Sequence, residues 1–147
     1  MTDTLTEAWL APEPPPATAD DLAAIEAAVL DYFAGWFDGD PDRMAGALHP
    51  GLAKHALGQD RDRSDTLDVT TRDEMVEATR AGAGRRRDVP DRAIQIEIAE
   101  VSGTIASVIV HSAVYVEYVL LVRTAADGWR ITDTLWQWAP GHGPRAR

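Results

Sequence analysis

The feature that most limits the fold of this 147-residue chain is a change of hydrophobic period in its second half. From Ile94 onward apolar residues alternate with polar ones, and further predicted strands follow as far as Trp138, one of which, at residues 115–122, is apolar on both faces. Short turn sequences separate them, such as Ser102-Gly103 and Ala126-Asp127-Gly128, which are typical of hairpins. The sequence therefore predicts a run of antiparallel strands that needs a second layer to cover one face.

The residues before this run predict three helices that supply the second layer. The first covers residues 18–39, because Thr18 and Asp21 have the spacing of a capping box and apolar residues follow at helical intervals. Asp40-Pro41 opens a second, short helix with an N-cap aspartate and a proline at the first helical position. Residues 71–74 open the third helix with another capping box.

We expect residues 18–138 to form a single α+β domain, since the length is ordinary for one domain and 45% of the residues are apolar. Residues 1–17 are rich in proline and are predicted to be a flexible arm, and residues 139–147 a flexible tail. Within the domain, residues 52–57 fit either a short strand or a turn. The charged segment 58–68 is predicted to be a loop.

Composition narrows the possible functions. The chain has no cysteine, which excludes disulfides, thiolate zinc sites and a cysteine nucleophile. Its formal net charge of −10 opposes binding to nucleic acids and to anionic membranes. The four histidines have no metal-site spacing, so no metal is expected. No cofactor is expected either. No membrane-spanning stretch or signal pattern is present, and we expect a cytoplasmic protein.

Three polar residues of the predicted strands are candidates for acid–base chemistry. Asp133 is expected to share a strand face with Ile131 and Leu135, where desolvation would raise its proton affinity, unless it pairs with an arginine. Glu117 lies in the most apolar strand, so it either lines a cavity or pairs at an interface. His111 is expected opposite Glu117 across a hairpin, forming a hydrogen-bonded acid–base pair, with a structural histidine as the alternative.

Aromatic residues are candidates for the walls of a pocket. Tyr32 and Trp36 lie one turn apart on the first helix and are expected to face the sheet, although a helical aromatic stripe most often belongs to the core. By strand alternation, Trp136 and Trp138 are expected on the face opposite the one that carries Ile131. They are therefore predicted on the outer face of the sheet, buried in a homodimer.

Several short elements carry a resemblance to a known family. They are Val29-Leu30-Asp31-Tyr32 with Trp36 and Gly39-Asp40, Ala47-Leu48-His49-Pro50-Gly51-Leu52-Ala53-Lys54, Tyr115-Val116-Glu117-Tyr118, Gly128-Trp129-Arg130-Ile131 and Leu135-Trp136. Over about residues 20 to 138 the chain resembles the nuclear transport factor 2-like superfamily, which includes ketosteroid isomerase and SnoaL-like polyketide cyclases. Within it, the chain looks most like the group named for putative lumazine binding.

The resemblance implies a cone-shaped fold with three helices packed on a strongly curved antiparallel sheet, a pocket between them, and commonly a dimer through the outer sheet face. It draws attention to His49, which either binds a ligand or interacts with the C-terminus of the second helix. The expected pocket residues are Tyr32, Trp36, His49, Met75 and Tyr115, with Glu117 and Asp133.

The favoured hypothesis is a homodimeric protein that binds a small hydrophobic or heteroaromatic molecule, flat or polycyclic, in this pocket. An alternative is a cofactor-independent isomerase, cyclase or dehydratase, with Asp133 or Glu117 as base and His111 or Tyr32 as proton donor. A second alternative is a non-catalytic dimerisation or accessory domain, whose cone would be filled by its own aromatic side chains.

Overall fold

The computed structural model of the protein describes residues 9–58 and 65–144. The helices of this part of the chain are α1 (Ala19–Asp38), α2 (Pro41–Ala47) and α3 (Arg72–Arg80), followed by a short 3₁₀ helix (Arg85–Arg87). The strands are β1 (Leu48–Leu57), β2 (Leu67–Thr71), β3 (Gln95–Ser102), β4 (Ile105–His111), β5 (Tyr115–Thr124) and β6 (Gly128–Trp138). None of these helices is long and apolar enough to cross a membrane.

The six strands form one curved sheet in the order β2-β1-β6-β5-β4-β3, and the helices lie on its concave face. Neighbouring strands are antiparallel except β1 and β6, which run parallel. The predicted α+β class is thus confirmed, while the sheet is mixed and not wholly antiparallel. A parallel pair requires a long connection, and here the intervening helices and strands provide it.

The predicted helix starts form as expected from their side chains. The Thr18 hydroxyl accepts a hydrogen bond from the Asp21 backbone N–H at 3.0 Å, and the Asp21 carboxylate accepts one from the Thr18 N–H at 3.1 Å. Thr71 and Glu74 make the same reciprocal pair at the start of α3. Each pair satisfies backbone donors that have no partner within the first helical turn.

The segment that the sequence left between strand and turn is part of β1. Residues 53–57 pair with β2 on one side and residues 53–56 pair with β6 on the other, and this pairing with distant strands, which local propensity does not reveal, makes the segment a strand. β2 begins at Leu67, inside a segment predicted to be a loop. β1 follows α2 directly, because α2 ends at Ala47 and β1 begins at Leu48.

α1 lies in the concave side of the sheet and provides much of the core. Its buried apolar face is Ile25, Ala28, Val29, Tyr32, Phe33 and Phe37, packed among Val108, Val110, Val119, Leu121 and Ile131. The start of the helix is fixed to the β5–β6 hairpin, since Asp21 Oδ1 accepts hydrogen bonds from Trp129 Nε1 and Arg123 Nη1, both at 3.1 Å. The C-terminal half of α1 is left facing a cavity.

A β-bulge in β6 reverses which side chains point inward. Leu120 of β5 pairs with Asp133, but Leu121 pairs with Ile131, so Thr132 is an extra residue of β6 that has no pairing residue on β5. A strand alternates strictly only while its pairing is regular, and one extra residue exchanges the two faces. The alternation read from the sequence is therefore valid up to Ile131 and inverted beyond it.

Two predictions about β6 are wrong for this reason. Leu135 is exposed on the outer face, and Asp133 lies on that face as well, so Asp133 does not share a side with Ile131. Trp136 and Trp138 are not on the outer face; they lie on the concave side, where they pack on the core. The bulge thus replaces a carboxylate by two indole rings inside the cone.

The chain termini make contacts with the domain where they are described. Residues 9–17 contain no helix or strand, and Pro14 lies beside the β3–β4 turn at Gly103. After β6, the Ala139 N–H donates to a backbone carbonyl at 2.8 Å and Arg87 donates to the Gly143 carbonyl at 2.9 Å. The flexibility predicted for residues 1–17 and 139–147 stays a prediction, and residues 1–8 and 145–147 lie outside the described residues.

The approach of the 3₁₀ helix to α1 depends on a glycine. A Cβ at Gly84 would overlap the carbonyl oxygen of Trp36 and come within 2.6 Å of its Cγ. We expect Gly84→Ala to lower the free energy of unfolding by about 1–3 kcal/mol, as overpacking does. Gly46→Ala is the matched control, because a Cβ there meets nothing within 4 Å and helix propensity favours alanine. Equal urea midpoints for the two variants would contradict this.

Candidate functional site

A cavity of about 250 Å³ lies between the C-terminal half of α1, α3 and the concave face of the sheet. The side chains that define it include Tyr32, Trp36, Lys54, Met75, Tyr115, Glu117, Trp136 and Trp138. Its wall therefore combines aromatic rings with a small group of ionisable side chains. This combination is typical of small-molecule sites, in which apolar walls surround a few convergent polar groups.

The ionisable group of the cavity consists of Tyr32 from α1, Lys54 from β1 and Glu117 from β5. The Tyr32 hydroxyl donates to Glu117 Oε2 at 2.6 Å, and Lys54 Nζ donates to the same oxygen at 3.2 Å and to the Tyr32 hydroxyl. Glu117 is only 2% exposed and the Lys54 side chain 12%. We call these three residues the buried triad.

Burial determines how the buried triad holds its protons. Removal from water lowers the pKa of Lys54, because desolvation disfavours the ammonium more than Glu117 favours it. Burial also raises the pKa of Tyr32 well above its ordinary value, and the neighbouring Glu117 charge raises it further. The Tyr32 phenol thus stays protonated and acts as a hydrogen-bond donor, while the Lys54 ammonium gives up a proton more readily than an ammonium in water. The triad can move protons among one nitrogen and two kinds of oxygen.

Aromatic rings around Tyr115 form the flat part of the wall. The Tyr115 hydroxyl accepts a hydrogen bond from Trp36 Nε1 at 2.9 Å, and burial raises the Tyr115 pKa. The Trp136 ring meets Tyr115 edge-on at 5.3 Å, and the Trp138 ring lies tilted against it at 5.5 Å. The Arg87 guanidinium covers the Trp138 ring at 4.4 Å from its centroid. These contacts fix the orientation of the rings in the cavity wall.

Two buried polar atoms beside the cavity have no hydrogen-bond partner among the described residues. They are Thr134 Oγ1 and Trp138 Nε1. Thr134 lies near enough to the Tyr32 hydroxyl to oppose the rise in its pKa, although the two make no hydrogen bond of ordinary geometry. Buried polar groups are almost always paired, so these two atoms are polar groups beside the cavity whose hydrogen-bonding capacity the described residues leave unused.

Most of the ligand-binding residues predicted from the sequence lie together. Tyr32, Trp36, Met75 and Tyr115 all line the cavity, and so does Glu117, which the sequence left between a cavity and an interface. Their roles as binding or catalytic groups stay predictions. Their positions follow from helical and strand periodicity, which holds on α1 and β5 around these residues.

The other three predicted site residues lie outside this cavity. His49 and Asp133 line a groove of about 460 Å³ on the outer side of the sheet, and His49 Nδ1 accepts a hydrogen bond from the Gly51 N–H at 2.9 Å. His111 is exposed and pairs with Val116, because the residue opposite Glu117 is Val110. The expected pair of His111 with Glu117 is therefore wrong by one residue of register, which places the two side chains on opposite faces.

Sequence reasoning did not include Lys54 among the site residues. It stood in the His-Pro-Gly-Leu-Ala-Lys element, but its strand assignment was open and its direction could not be read. One signal was available, because Lys54 is the only lysine in the chain. Thr134, Trp136 and Trp138 were missed for a different reason, since the bulge that turns them inward has no sequence mark.

Within residues 9–58 and 65–144, no group of His, Asp and Glu side chains could hold a metal ion.

The pKa of Tyr32 predicts a loss of stability at alkaline pH. Because the folded pKa lies above the ordinary 10.0, the folded state binds more protons than the unfolded state once pH exceeds about 10, and the free energy of unfolding falls. The lowered pKa of Lys54 acts oppositely, but its contribution stops changing above about 10.5. We expect Tyr32→Phe to reduce the fall in urea midpoint between about pH 10.5 and 11.5.

Some fall should remain in the Tyr32→Phe variant, because burial also raises the pKa of Tyr115. Trp9→Phe is the matched control, since that ring is 74% exposed and carries no hydroxyl that titrates. If the parent chain and Tyr32→Phe lost stability equally over this interval, the assignment of the alkaline transition to Tyr32 would be wrong.

Comparison with known proteins supports the fold and the family. The family model described as "Putative lumazine-binding" matches residues 20–137. An NTF2-like protein of unknown function from Shewanella baltica OS155 has 15% identity and a TM-score of 0.65, covering 86% of this chain and 100% of its own. A ketosteroid isomerase-like protein from Erwinia carotovora atroseptica SCRI1043 has 21% identity and a TM-score of 0.59, and the match covers 84% of this chain and 100% of that one.

A domain of unknown function with a cystatin-like fold from Nostoc punctiforme PCC 73102 also matches, with 14% identity, a TM-score of 0.59 and coverage of 84% of this chain and 80% of that one. At these identities the structural matches show the fold alone. No curated protein matches the chain. The family model covers most of the sequence, and the chain belongs to the family described as "Putative lumazine-binding", with an NTF2-like fold.

Proposed function

We propose that this protein binds a small planar molecule in the cavity between α1 and the sheet. The observation that carries the proposal is the composition of the cavity wall, where aromatic rings stand around the buried triad of Tyr32, Lys54 and Glu117. An ion pair removed from water costs stability compared with apolar side chains of the same volume. Its presence beside a cavity is more readily explained by recognition or chemistry than by packing.

The size of the cavity favours a ligand of one or two rings. Sites for drug-sized ligands are usually about 300–1,000 Å³, and this cavity holds about 250 Å³. A tetracyclic molecule is disfavoured on volume. The sequence-based hypothesis of a flat or polycyclic ligand is therefore narrowed to the flat and small part of that range.

The polar atoms of the cavity favour a ligand that accepts hydrogen bonds. Lys54 and the unpaired Trp138 Nε1 are donors, and the Thr134 hydroxyl can donate as well. Lumazine, which appears in the family description, is a two-ring heteroaromatic molecule with carbonyl oxygens and ring nitrogens as acceptors. Its shape and acceptor pattern suit this wall, so it is the first probe to use.

Binding should change the tryptophan fluorescence, because Trp36, Trp136 and Trp138 all line the cavity. We expect lumazine to quench the fluorescence with saturation and to raise the free energy of unfolding by about 2.7 kcal/mol at a ligand concentration 100 times Kd. Trp136→Phe should weaken binding. Trp9→Phe is the matched control, since that ring is 74% exposed and does not line the cavity.

The contrary result is a panel of one- and two-ring heteroaromatic ligands, lumazine included, that neither quenches the fluorescence nor protects against thermal unfolding. Equal quenching of the parent chain and of Trp136→Phe would place binding elsewhere. The hypothesis of an accessory domain filled by its own aromatic side chains would then be preferred.

Acid–base catalysis remains the second candidate, and the buried triad favours it over the accessory-domain hypothesis. Glu117 would serve as base and Tyr32 as proton donor, as the sequence predicted for these two residues. His111 and Asp133 have no part in this version, because both lie away from the cavity.

The expected homodimer is part of the proposal as well, but through a different set of residues.

The outer sheet face carries the apolar surface that a homodimer would bury. Ile105, Tyr118, Leu120 and Leu135 on this face are 59%, 57%, 50% and 51% exposed. Tyr118 pairs with Leu135 across β5 and β6, and Leu120 lies on the same side of β5, so the patch is continuous over the middle of the sheet. Patches of this kind usually mark an interaction surface. These residues take the place that the sequence assigned to Trp136 and Trp138.

A charge in this patch should separate the subunits. We expect Leu135→Glu to shift the protein from dimer to monomer in analytical ultracentrifugation, since an unpaired carboxylate would be buried at the centre of the interface. Leu30→Glu is the matched control, because Leu30 is 40% exposed but lies on α1, away from the outer face. A parent chain that sediments as a monomer, or a dimer unaffected by Leu135→Glu, would contradict the interface.

A further inference from the structure

The only ε-amine of the chain is in the cavity. The sequence contains thirteen arginines and one lysine, and that lysine is Lys54 of the buried triad. An arginine guanidinium keeps its proton under all ordinary conditions, whereas a lysine can lose one and become a nucleophile. The single cationic side chain able to form a covalent bond with a ligand thus lines the site where a ligand would lie.

The surroundings of Lys54 Nζ are those of a held and activated amine. Nζ contacts the Tyr32 hydroxyl, lies 3.2 Å from Glu117 Oε2, and stands 5.2 Å from the centroid of the Trp136 ring. Burial lowers the pKa of the amine, which increases the share of its nucleophilic form. If charge balance for Glu117 were the only requirement, an arginine, the cation used elsewhere in this chain, would meet it.

We propose that Lys54 captures the carbonyl carbon of a planar aldehyde or ketone in this cavity as a protonated imine. The inference rests on the proposed function, because it names the chemical class of the ligand that the cavity binds. The neighbours of Nζ supply what the reaction needs: Glu117 accepts and returns a proton, and the protonated Tyr32 phenol supports that carboxylate with a hydrogen bond.

The reaction balances without any further reactant. The Lys54 ammonium gives a proton to Glu117, and the nitrogen lone pair forms a C–N bond while the C=O π electrons move to oxygen. One nitrogen proton passes to this oxygen, and the proton on Glu117 converts the resulting hydroxyl into leaving water. An ammonium ion and a carbonyl compound thus give a protonated imine and one water molecule, with no oxidant or reductant.

The test compares Lys54 with a surface lysine in the same molecule. Arg80→Lys supplies the second amine, because Arg80 is 57% exposed on α3 and the exchange keeps its charge. The full-length variant is treated with benzaldehyde and sodium cyanoborohydride, which reduces an imine to a stable benzylamine. Chymotryptic peptides then give the rate of benzylation at each position by mass spectrometry, and both amines experience the same reagent.

We expect Lys54 to be benzylated about 100-fold faster than the lysine introduced at position 80, which is the lower end of what positioned acid–base groups contribute. The rate at Lys54 should saturate with benzaldehyde, and benzyl alcohol, which has the ring but no carbonyl, should compete. Adding Glu117→Gln should remove most of this advantage and leave position 80 unchanged. Equal or slower labelling of Lys54 compared with position 80 would overturn the proposal.

Fluorescence titration with benzyl alcohol and lumazine separates this proposal from the one on which it rests. If these ligands bind with saturation and Lys54 shows no preferential labelling, carbonyl capture is wrong and the binding function stands. If they do not bind and Lys54 is not labelled preferentially, both proposals fail. Preferential labelling that benzyl alcohol suppresses supports both.

Discussion

The arrangement of the whole site depends on one ion pair removed from water. Lys54 and Glu117 lie 3.2 Å apart on strands β1 and β5, which are separated in the sheet by β6, and Tyr32 joins them from α1. Removing one member of a buried pair typically costs about 3–5 kcal/mol, because the remaining charge is left without compensation. The pair therefore ties β1 to β5 across β6, and the Tyr32 hydroxyl ties α1 to both, so that the three residues together hold the helix layer against this part of the cavity.

The bulge at Thr132 decides what surrounds this pair. With regular pairing, β6 would direct Asp133 and Leu135 inward and would leave Trp136 and Trp138 on the outside. The extra residue gives the cavity two indole walls, and it gives the outer face an apolar surface around Leu135. One local irregularity thus creates both the indole walls of the cavity and the exposed apolar surface on the outer face. It also keeps a second carboxylate away from Glu117, where like charges would compete for one proton.

Much of the fold could be read from local patterns, because local interactions cause it. The capping boxes at Thr18 and Thr71 depend on residues three positions apart, and the buried face of α1 depends on helical periodicity. Prediction failed where pairing between distant segments decides the outcome. His111 was placed one residue out of register with Glu117, and β1 was left undecided, because its partners β2 and β6 are not visible in its own sequence.

By itself, the sequence determined the class of fold, the order of the three helices and the later strands, and the side chains of α1 and β5 that face inward, since these follow from periods of 3.6 and two along short segments. It also determined that the chain has a single lysine. Only the tertiary structure decided where that lysine lies, that it meets Tyr32 and Glu117, and which face of β6 after the bulge turns toward the cavity. The physical reason is that the register and the bulge are properties of paired strands, and a single strand does not contain the information that fixes them.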